Sequence, residues 1–272
     1  MSHLEYTFAA RCVKGRIREC NQDNFYLDGV IVPHELMNTN SAVSGGPAGA
    51  GALAVFDGMG GEAMGDYAAF TAASRFLQRR TGLSSCPDSR SIGMFIDDIA
   101  DEINRDIREA SLAEGRRIGT TMAALVFREN AAHAANIGDS SVFLMRRTEL
   151  RKLTQDDTLA AWLITRGILG PNEARTDPRR SMLTQNLGMT DADIRPKAHF
   201  FPDIQVHHGD RFLLCSDGLT DMLDDKSITR ILGAAASPDE AAGALTDAAV
   251  KAGGRDNITA LTLFARRKRS KA

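Results

Sequence analysis

The stretch that decides the fold is AVFDGMGGEAMGD, residues 54–66. An apolar run, Leu53-Ala54-Val55-Phe56, stops at Asp57. Gly58, Gly60, Gly61 and Gly65 follow, and a helix-like pattern starts near Met64. A buried strand that ends on a carboxylate and then loses its side chains lets the backbone approach another group closely. A metal fits there, with the Gly58 carbonyl as a ligand. A glycine-rich turn also suits phosphate, but the chain has no GxxxxGK[ST] string, which excludes a P-loop.

Working outward, the same punctuation recurs. FLLCSDG ends an apolar run at Asp217, and AANIGDS ends one at Asp139. Asp256 in GGRDNITALTLF and Asp23 in RECNQDNFYL each stand just before a strand-like run. One aspartate at a strand boundary is ordinarily a turn residue; five make a pattern. If these strand ends converge, the carboxylates repel unless cations lie between them. An all-oxygen ligand set favours Mg²⁺ or Mn²⁺. None of the six histidines falls in a zinc-binding string, so zinc is disfavoured. DADI at 191–194 follows LGMT rather than an apolar strand and reads as a turn, not a nucleophile motif.

The surroundings are those of an ordinary globular chain of 272 residues, 43% hydrophobic and 25% charged, with net charge −2. That charge gives no support to nucleic-acid binding. The block RRKRSK at 266–271 reads as a solvated basic tail, 266–272, behind a domain of residues 1–265. Cys12, Cys20, Cys86 and Cys215 form no CxxC pair, which suits a reduced, cytoplasmic protein. No run of eighteen apolar residues and no signal peptide is seen, so no membrane span is expected.

Strands are expected at 5–13, 24–28, 51–56, 119–127, 131–137, 141–146, 198–206, 210–216 and 257–264. Those at 119–146 are joined by short turns and are expected to be antiparallel neighbours. NTNSAVSGGPAGAG (38–51) reads as a loop. One helix carries Ala68, Ala72 and Phe76 on one face; a second carries the stripe Ile92, Ile96, Ile99, Ile103, Ile107 and Ala110. A third starts at Ser237, where Ser237 and Glu240 match a capping box, and shows Ala241, Ala244, Leu245 and Ala248. Antiparallel strands with helices inserted in groups argue for an α+β layered fold.

Taken in order, GRIRECNQDNFY, VFDGMGGEAMGD, GTT, NIGDSS, LTQDDT, LTQNLG, GDRFLLCSDGLTDML and GGRDNIT resemble the protein phosphatase 2C family of metal-dependent serine/threonine phosphatases, in its bacterial form. The resemblance runs from about residue 5 to residue 264. It implies a four-layer α-β-β-α sandwich, two antiparallel sheets flanked by helices, with two or three Mn²⁺ or Mg²⁺ ions at one end. By the same resemblance, Asp57 bridges two metals, Gly58 gives its carbonyl to one, and Asp217 and Asp256 ligate the other. Asp139 holds a third ion, Asp23 orients water, and Arg18 binds the substrate phosphate. Four positions depart from the family pattern: Gln22 for an acidic residue, Ser141 for arginine, Asp157 for histidine and Gln185 for arginine.

The implied reaction is hydrolysis of phosphoserine or phosphothreonine in proteins by a water that two cations activate, with no phosphoenzyme. Substrates are phosphoproteins linked to a bacterial serine/threonine kinase, and the protein is a cytoplasmic monomer. Cys215 reads as a packed strand residue, since no CxxxxxR string surrounds it. The segment 165–182 reads as a flap; its Arg175, Arg179 and Arg180 either meet phosphopeptide or are solvated loop residues. Met59, which stands where animal relatives carry histidine, cannot donate a proton. The rival readings are a pseudophosphatase, which retention of Asp57, Asp217 and Asp256 opposes, and a nucleotidase-like phosphomonoesterase.

Overall fold

The computed structural model describes residues 4–60, 64–174, 176–189 and 195–268. In chain order the elements are β1 (Leu4–Val13), β2 (Asp23–Leu27), β3 (Val30–Ile31), β4 (Ser41–Ala48), β5 (Ala50–Met59), α1 (Gly65–Ser84) and α2 (Ser89–Glu114). They continue with β6 (Gly119–Thr120), β7 (Met122–Arg128), β8 (Ala131–Ile137), β9 (Ser141–Arg146), β10 (Glu149–Lys152), α3 (Leu159–Thr165) and α4 (Pro171–Ala174). The last are β11 (His199–Gln205), β12 (Arg211–Cys215), α5 (Asp217–Thr220), α6 (Asp225–Ala234), α7 (Pro238–Lys251) and β13 (Ile258–Arg267).

Two antiparallel sheets stack face to face. One runs β10-β9-β12-β13-β1-β4; the other runs β11-β8-β7-β5-β2-β3, with β6 paired to the end of β5. Tyr6 on β1 and Phe127 on β7 join them, ring centroids 4.8 Å apart. Helices α1 and α2 cover the second sheet, and α6 and α7 cover the first. This is the expected four-layer sandwich. Helix α2 shows why the pattern works. Ile92, Ile96, Ile99, Ile103 and Ile107 are all buried on one face. Asp88 caps its start through the Ser91 amide, and Gly115, at φ 62, closes its end in the left-handed conformation.

The structure corrects several sequence expectations. Residues 41–48 are a strand, not a loop: β4 pairs with β1 from Cys12↔Ser41 to Tyr6↔Ala48. Its small residues carry little side-chain signal, because an edge strand is held by backbone pairing. The β7–β8 hairpin forms as expected, but β9 pairs with β10 and β12 in the other sheet. The chain therefore crosses between sheets at Gly138-Asp139-Ser140. On α7, Ala241, Ala242, Leu245 and Ala249 are buried and Ala244 faces solvent, a small rotation from the expected stripe. Ser237 accepts from the Glu240 amide as expected, but the Glu240 carboxylate reaches the amide of Ala236 rather than that of Ser237. Arg266 and Arg267, read as the start of the tail, extend β13, where Arg267 pairs with Leu4. The four cysteines are free, and no helix among the described residues is long and apolar enough to cross a membrane.

Candidate active site

The strand ends do converge. A cavity of about 640 Å³ at one end of the sandwich is lined by Arg18, Asp57, Gly58, Asp139, Asp217 and Asp256, with Gln22, Met59, Arg117 and Asn186 around them. A second cavity of about 590 Å³ shares Asp139 and Asp217 and runs under the segment that follows Thr158. No histidine lines either one.

Asp57 and Asp23 face each other across the β2–β5 pair. The backbone of Asp57 is pinned: its amide donates to Thr121 Oγ1 at 3.1 Å, and its carbonyl accepts from the Thr121 amide and Thr120 Oγ1, each at 2.9 Å. The glycines after Asp57 have a packing reason. A Cβ at Gly58 would collide with the carbonyl oxygens of Gly65 and Gln22. The strand end is thus wedged between the loop before β2 and the start of α1. Asp217 repeats the device: it opens α5, and a Cβ at Gly218 would collide with the Asn257 carbonyl. Gly61 and the DADI segment lie outside the described residues.

Asp23 is buried, and its Oδ2 accepts from Ser216 Oγ and Thr259 Oγ1, both at 2.7 Å. Its Oδ1 is buried with no hydrogen-bond partner. Burial pushes the Asp23 carboxyl up to about 7, against the two hydroxyls, with the charges of Asp256 and Asp217 adding to the rise. Burial also raises Asp217 to about 6, helped by Asp221 and Asp256. Asp57 and Asp139 are held well above the usual carboxylate range, by burial first and then by neighbouring carboxylates. Anionic groups crowded in this way need compensating positive charge.

Arg18 supplies some of it. Its Nε and Nη2 grip both oxygens of Asp256 at 2.8 and 2.7 Å. Asn257, which sequence reading did not single out, fixes the loop that carries Arg18. Its Oδ1 accepts from the Gln22 amide at 2.8 Å, and its Nδ2 donates to the Lys14 and Cys20 carbonyls, each at 2.9 Å. Ser216, Thr259 and Asn257 were hidden because hydroxyl and amide partners leave no periodic signal. Cys215 is buried with its thiol pushed up to about 12 by burial, which suits a packed residue and not a nucleophile.

The segment expected to be a flap, 165–182, is part of a longer excursion of the chain. It leaves at Thr158 and returns at Leu187, tied by the Thr158↔Leu183 and Thr120↔Leu187 bridges. Arg179 is held by Asp177 of its own turn, and Arg180 by Asp221 next to α5. Arg175 lies outside the described residues.

The donor set fits hard divalent cations. It is oxygen-only, it carries the unpartnered Asp23 Oδ1, and its carboxylates are destabilised by one another. No three His, Cys, Asp or Glu side chains among the described residues are already gathered round a single ion-sized point.

The sequence profile of the Protein phosphatase 2C family matches residues 40–249. The chain belongs to the protein phosphatase 2C family. A serine/threonine protein phosphatase PstP of Mycobacterium tuberculosis is 31% identical over 94% of this chain. The chain spans 44% of that relative's length. A serine/threonine phosphatase stp of Listeria monocytogenes is 29% identical, over 95% of this chain and 94% of the relative. A solved structure of the PstP catalytic domain in complex with two manganese ions superposes with a TM-score of 0.74 at 27% identity, covering 97% of this chain and 99% of that one. In this protein phosphatase 2C chain, then, the sandwich and the carboxylate cavity at its end belong together.

Proposed function

We propose that this chain is a metal-dependent phosphatase of phosphoserine and phosphothreonine in proteins. The observation that carries the reading is the meeting of Asp57, Asp139, Asp217, Asp256 and Arg18 on one cavity, in a chain of this family. Asp57, the Gly58 carbonyl, Asp217 and Asp256 would hold two Mn²⁺ or Mg²⁺ ions, and Asp139 with Asp217 a third. Bound there, the cations acidify water and neutralise charge on the phosphoryl group.

The chain's own residues do the rest. Asp23, opposite Asp57 on the paired strand, has a buried Oδ1 without a hydrogen-bond partner and is the proposed orienter of water. The Arg18 guanidinium is half exposed and already shaped as a two-toothed fork, so it passes from Asp256 to two phosphate oxygens when substrate arrives. No side chain lining the cavity offers an imidazole to protonate the leaving alkoxide, and a water in the site is the proposed donor. The phosphoesters that the site takes are products of serine/threonine kinases, and the working protein is a cytoplasmic monomer.

The test is turnover of a phosphothreonine peptide by EDTA-dialysed protein, with and without Mn²⁺. Activity is expected only with metal, and Asp57→Asn is expected to lose about two to three decades, as loss of a central charge-stabilising group does. Full activity without metal would sink the proposal. Peptide binding with no turnover at any Mn²⁺ concentration would favour the pseudophosphatase instead.

A further inference from the structure

We propose that Asp157 is a positioning residue that locks the turn carrying Asp139 to both ends of the flap. It acts together with Gln185 and His199. The inference rests on the reading of Asp139 and the flap as walls of the active site. It concerns a residue that stands where the family pattern has histidine.

The geometry is that of a hub. Asp157 Oδ2 accepts from the Gly138 amide at 2.9 Å and from Gln185 Nε2 at 2.9 Å. Its Oδ1 meets His199 Nε2 at 2.7 Å. The backbone closes the figure: the Asp157 amide donates to the Gly138 carbonyl at 3.0 Å, and the Thr184 amide donates to the Asp157 carbonyl at 2.8 Å. Gln185 is itself clamped, giving Nε2 to the Lys197 carbonyl at 2.9 Å and receiving the Lys197 amide on Oε1 at 2.7 Å. Four separate pieces of chain therefore meet on one carboxylate: the β8–β9 crossover, the outgoing and returning legs of the flap, and the edge strand β11.

The Asp157 side chain is 11% exposed, so its contacts are shielded from water and each counts for more than a surface hydrogen bond. Gly138 sits at φ 94, a left-handed conformation, and a Cβ there would press on Thr121. Thr121 is the residue that pins the Asp57 backbone. The turn that presents Asp139 is thus fixed on one side by Thr121, toward Asp57, and on the other by Asp157, toward the flap. The flap in turn supplies Ser181, Leu183 and Asn186 to the first cavity and Arg180 to the second. A carboxylate suits this hub because it only accepts, and Gly138 N–H, Gln185 N–H and a His199 N–H all donate toward it. An imidazole at position 157 could not accept from all three at once. The departures at 157 and 185 are therefore one matched change, with His199 as the third member.

Hydrogen exchange by mass spectrometry on the full chain, alongside Mn²⁺ titration of activity, tests this. Asp157→Ala is expected to speed amide exchange at least tenfold in 138–141 and 158–187, while 50–57 stays protected. The Mn²⁺ concentration for half-maximal activity is expected to rise about 10–100-fold, the usual cost of losing a residue that orients a ligand. Asp157→Asn is expected to stay within about threefold of wild type in both readouts. Its amide oxygen still accepts from Gly138, and its Nδ2 donates to His199 in the other tautomer. An unchanged exchange map in Asp157→Ala overturns the proposal, as does an asparagine variant that is as damaged as the alanine one. If Asp157→Ala does not fold, His199→Gln decides: faster exchange confined to the same segments supports the hub, and an unaltered map refutes it. The exchange result is independent of turnover. A wild-type protein without phosphatase activity would sink the functional reading and leave the hub to be judged on its own map.

Discussion

On one wall of the cavity, Asp57 and Asp217 stand at the ends of strands, and each is followed by a glycine that backbone atoms hem in. On the other wall, the flap from Thr158 to Leu187 holds its place by polar side chains, among them Arg179 with Asp177 and Arg180 with Asp221. The two walls use different means of placing charge. Steric wedging of backbone against backbone leaves no alternative position, so it can hold carboxylates that repel one another. Ion pairs this exposed hold only the 177–180 turn of the flap, and loosely, since screening weakens each of them, whereas its two ends are tied at Asp157.

The sharpest way to break this comparison is to crowd the strand wall. Gly58→Ala and Gly218→Ala are each expected to destabilise the protein by about 3 kcal/mol or more, the upper range for overpacking. That is a fall in Tm of about 6–12 °C, at roughly 2–4 °C per kcal/mol for a chain of this size. Differential scanning calorimetry reads it, and an unchanged Tm would mean that the wedge yields.

Next in size is the proposed substrate contact. Arg18→Ala is expected to raise KM for a phosphopeptide about 10–100-fold, since a charge-assisted hydrogen bond contributes about 1.5–3 kcal/mol. The Mn²⁺ requirement should move far less. If KM stays at wild type, Arg18 serves only to hold Asp256.

The crowded carboxylates set a third test. Asp23 and Asp217 have folded-state values of about 7 and about 6, above the ordinary 3.8. A group whose folded value is raised stabilises the fold fully below its unfolded value, and that contribution is lost as pH rises through the folded value. Metal-free protein is therefore expected to lose thermal stability between about pH 4 and pH 7. Saturating Mn²⁺ should remove most of that slope, because the cations compensate the charge that ionisation exposes. A metal-free Tm that climbs over the same interval would contradict the assignment of the cluster.

The smallest effect belongs to the flap. Arg180→Ala removes an ion pair about a third exposed that contributes about 0.2–1 kcal/mol, so KM and kcat on a phosphopeptide should change by less than about fivefold. A loss as large as that of Arg18→Ala would place Arg180 on the substrate and erase the contrast between the walls.

Periodicity made the interior legible. The isoleucine stripe of α2 and the largely apolar runs of β7 and β8, buried on both faces, appear because burial is enforced side chain by side chain. Asp57, Asp139, Asp217, Asp256 and Asp23 were legible for a related reason: a carboxylate at the edge of an apolar run is costly unless something holds it. Strand β4 was missed because Ser44, Gly45, Gly46 and Pro47 carry no apolar alternation, while the pairing of its backbone with β1 does not depend on side chains. The crossing of β9 into the other sheet was missed because a short turn has the same composition whether it folds back or crosses over.

The sequence by itself determined the buried stripe of α2, the three long helices, most of the core strands and which carboxylates stand at strand ends, because hydrophobic period and turn chemistry are local. Only the tertiary structure decided that Gly58 and Gly218 are wedged by distant carbonyls, that Ser216 and Thr259 leave Asp23 with one unpartnered oxygen, and that Asp157, Gln185 and His199 share one hub. Those outcomes depend on contacts between segments far apart in the chain, and their energies come from collisions and hydrogen bonds that exist only once both sheets are stacked.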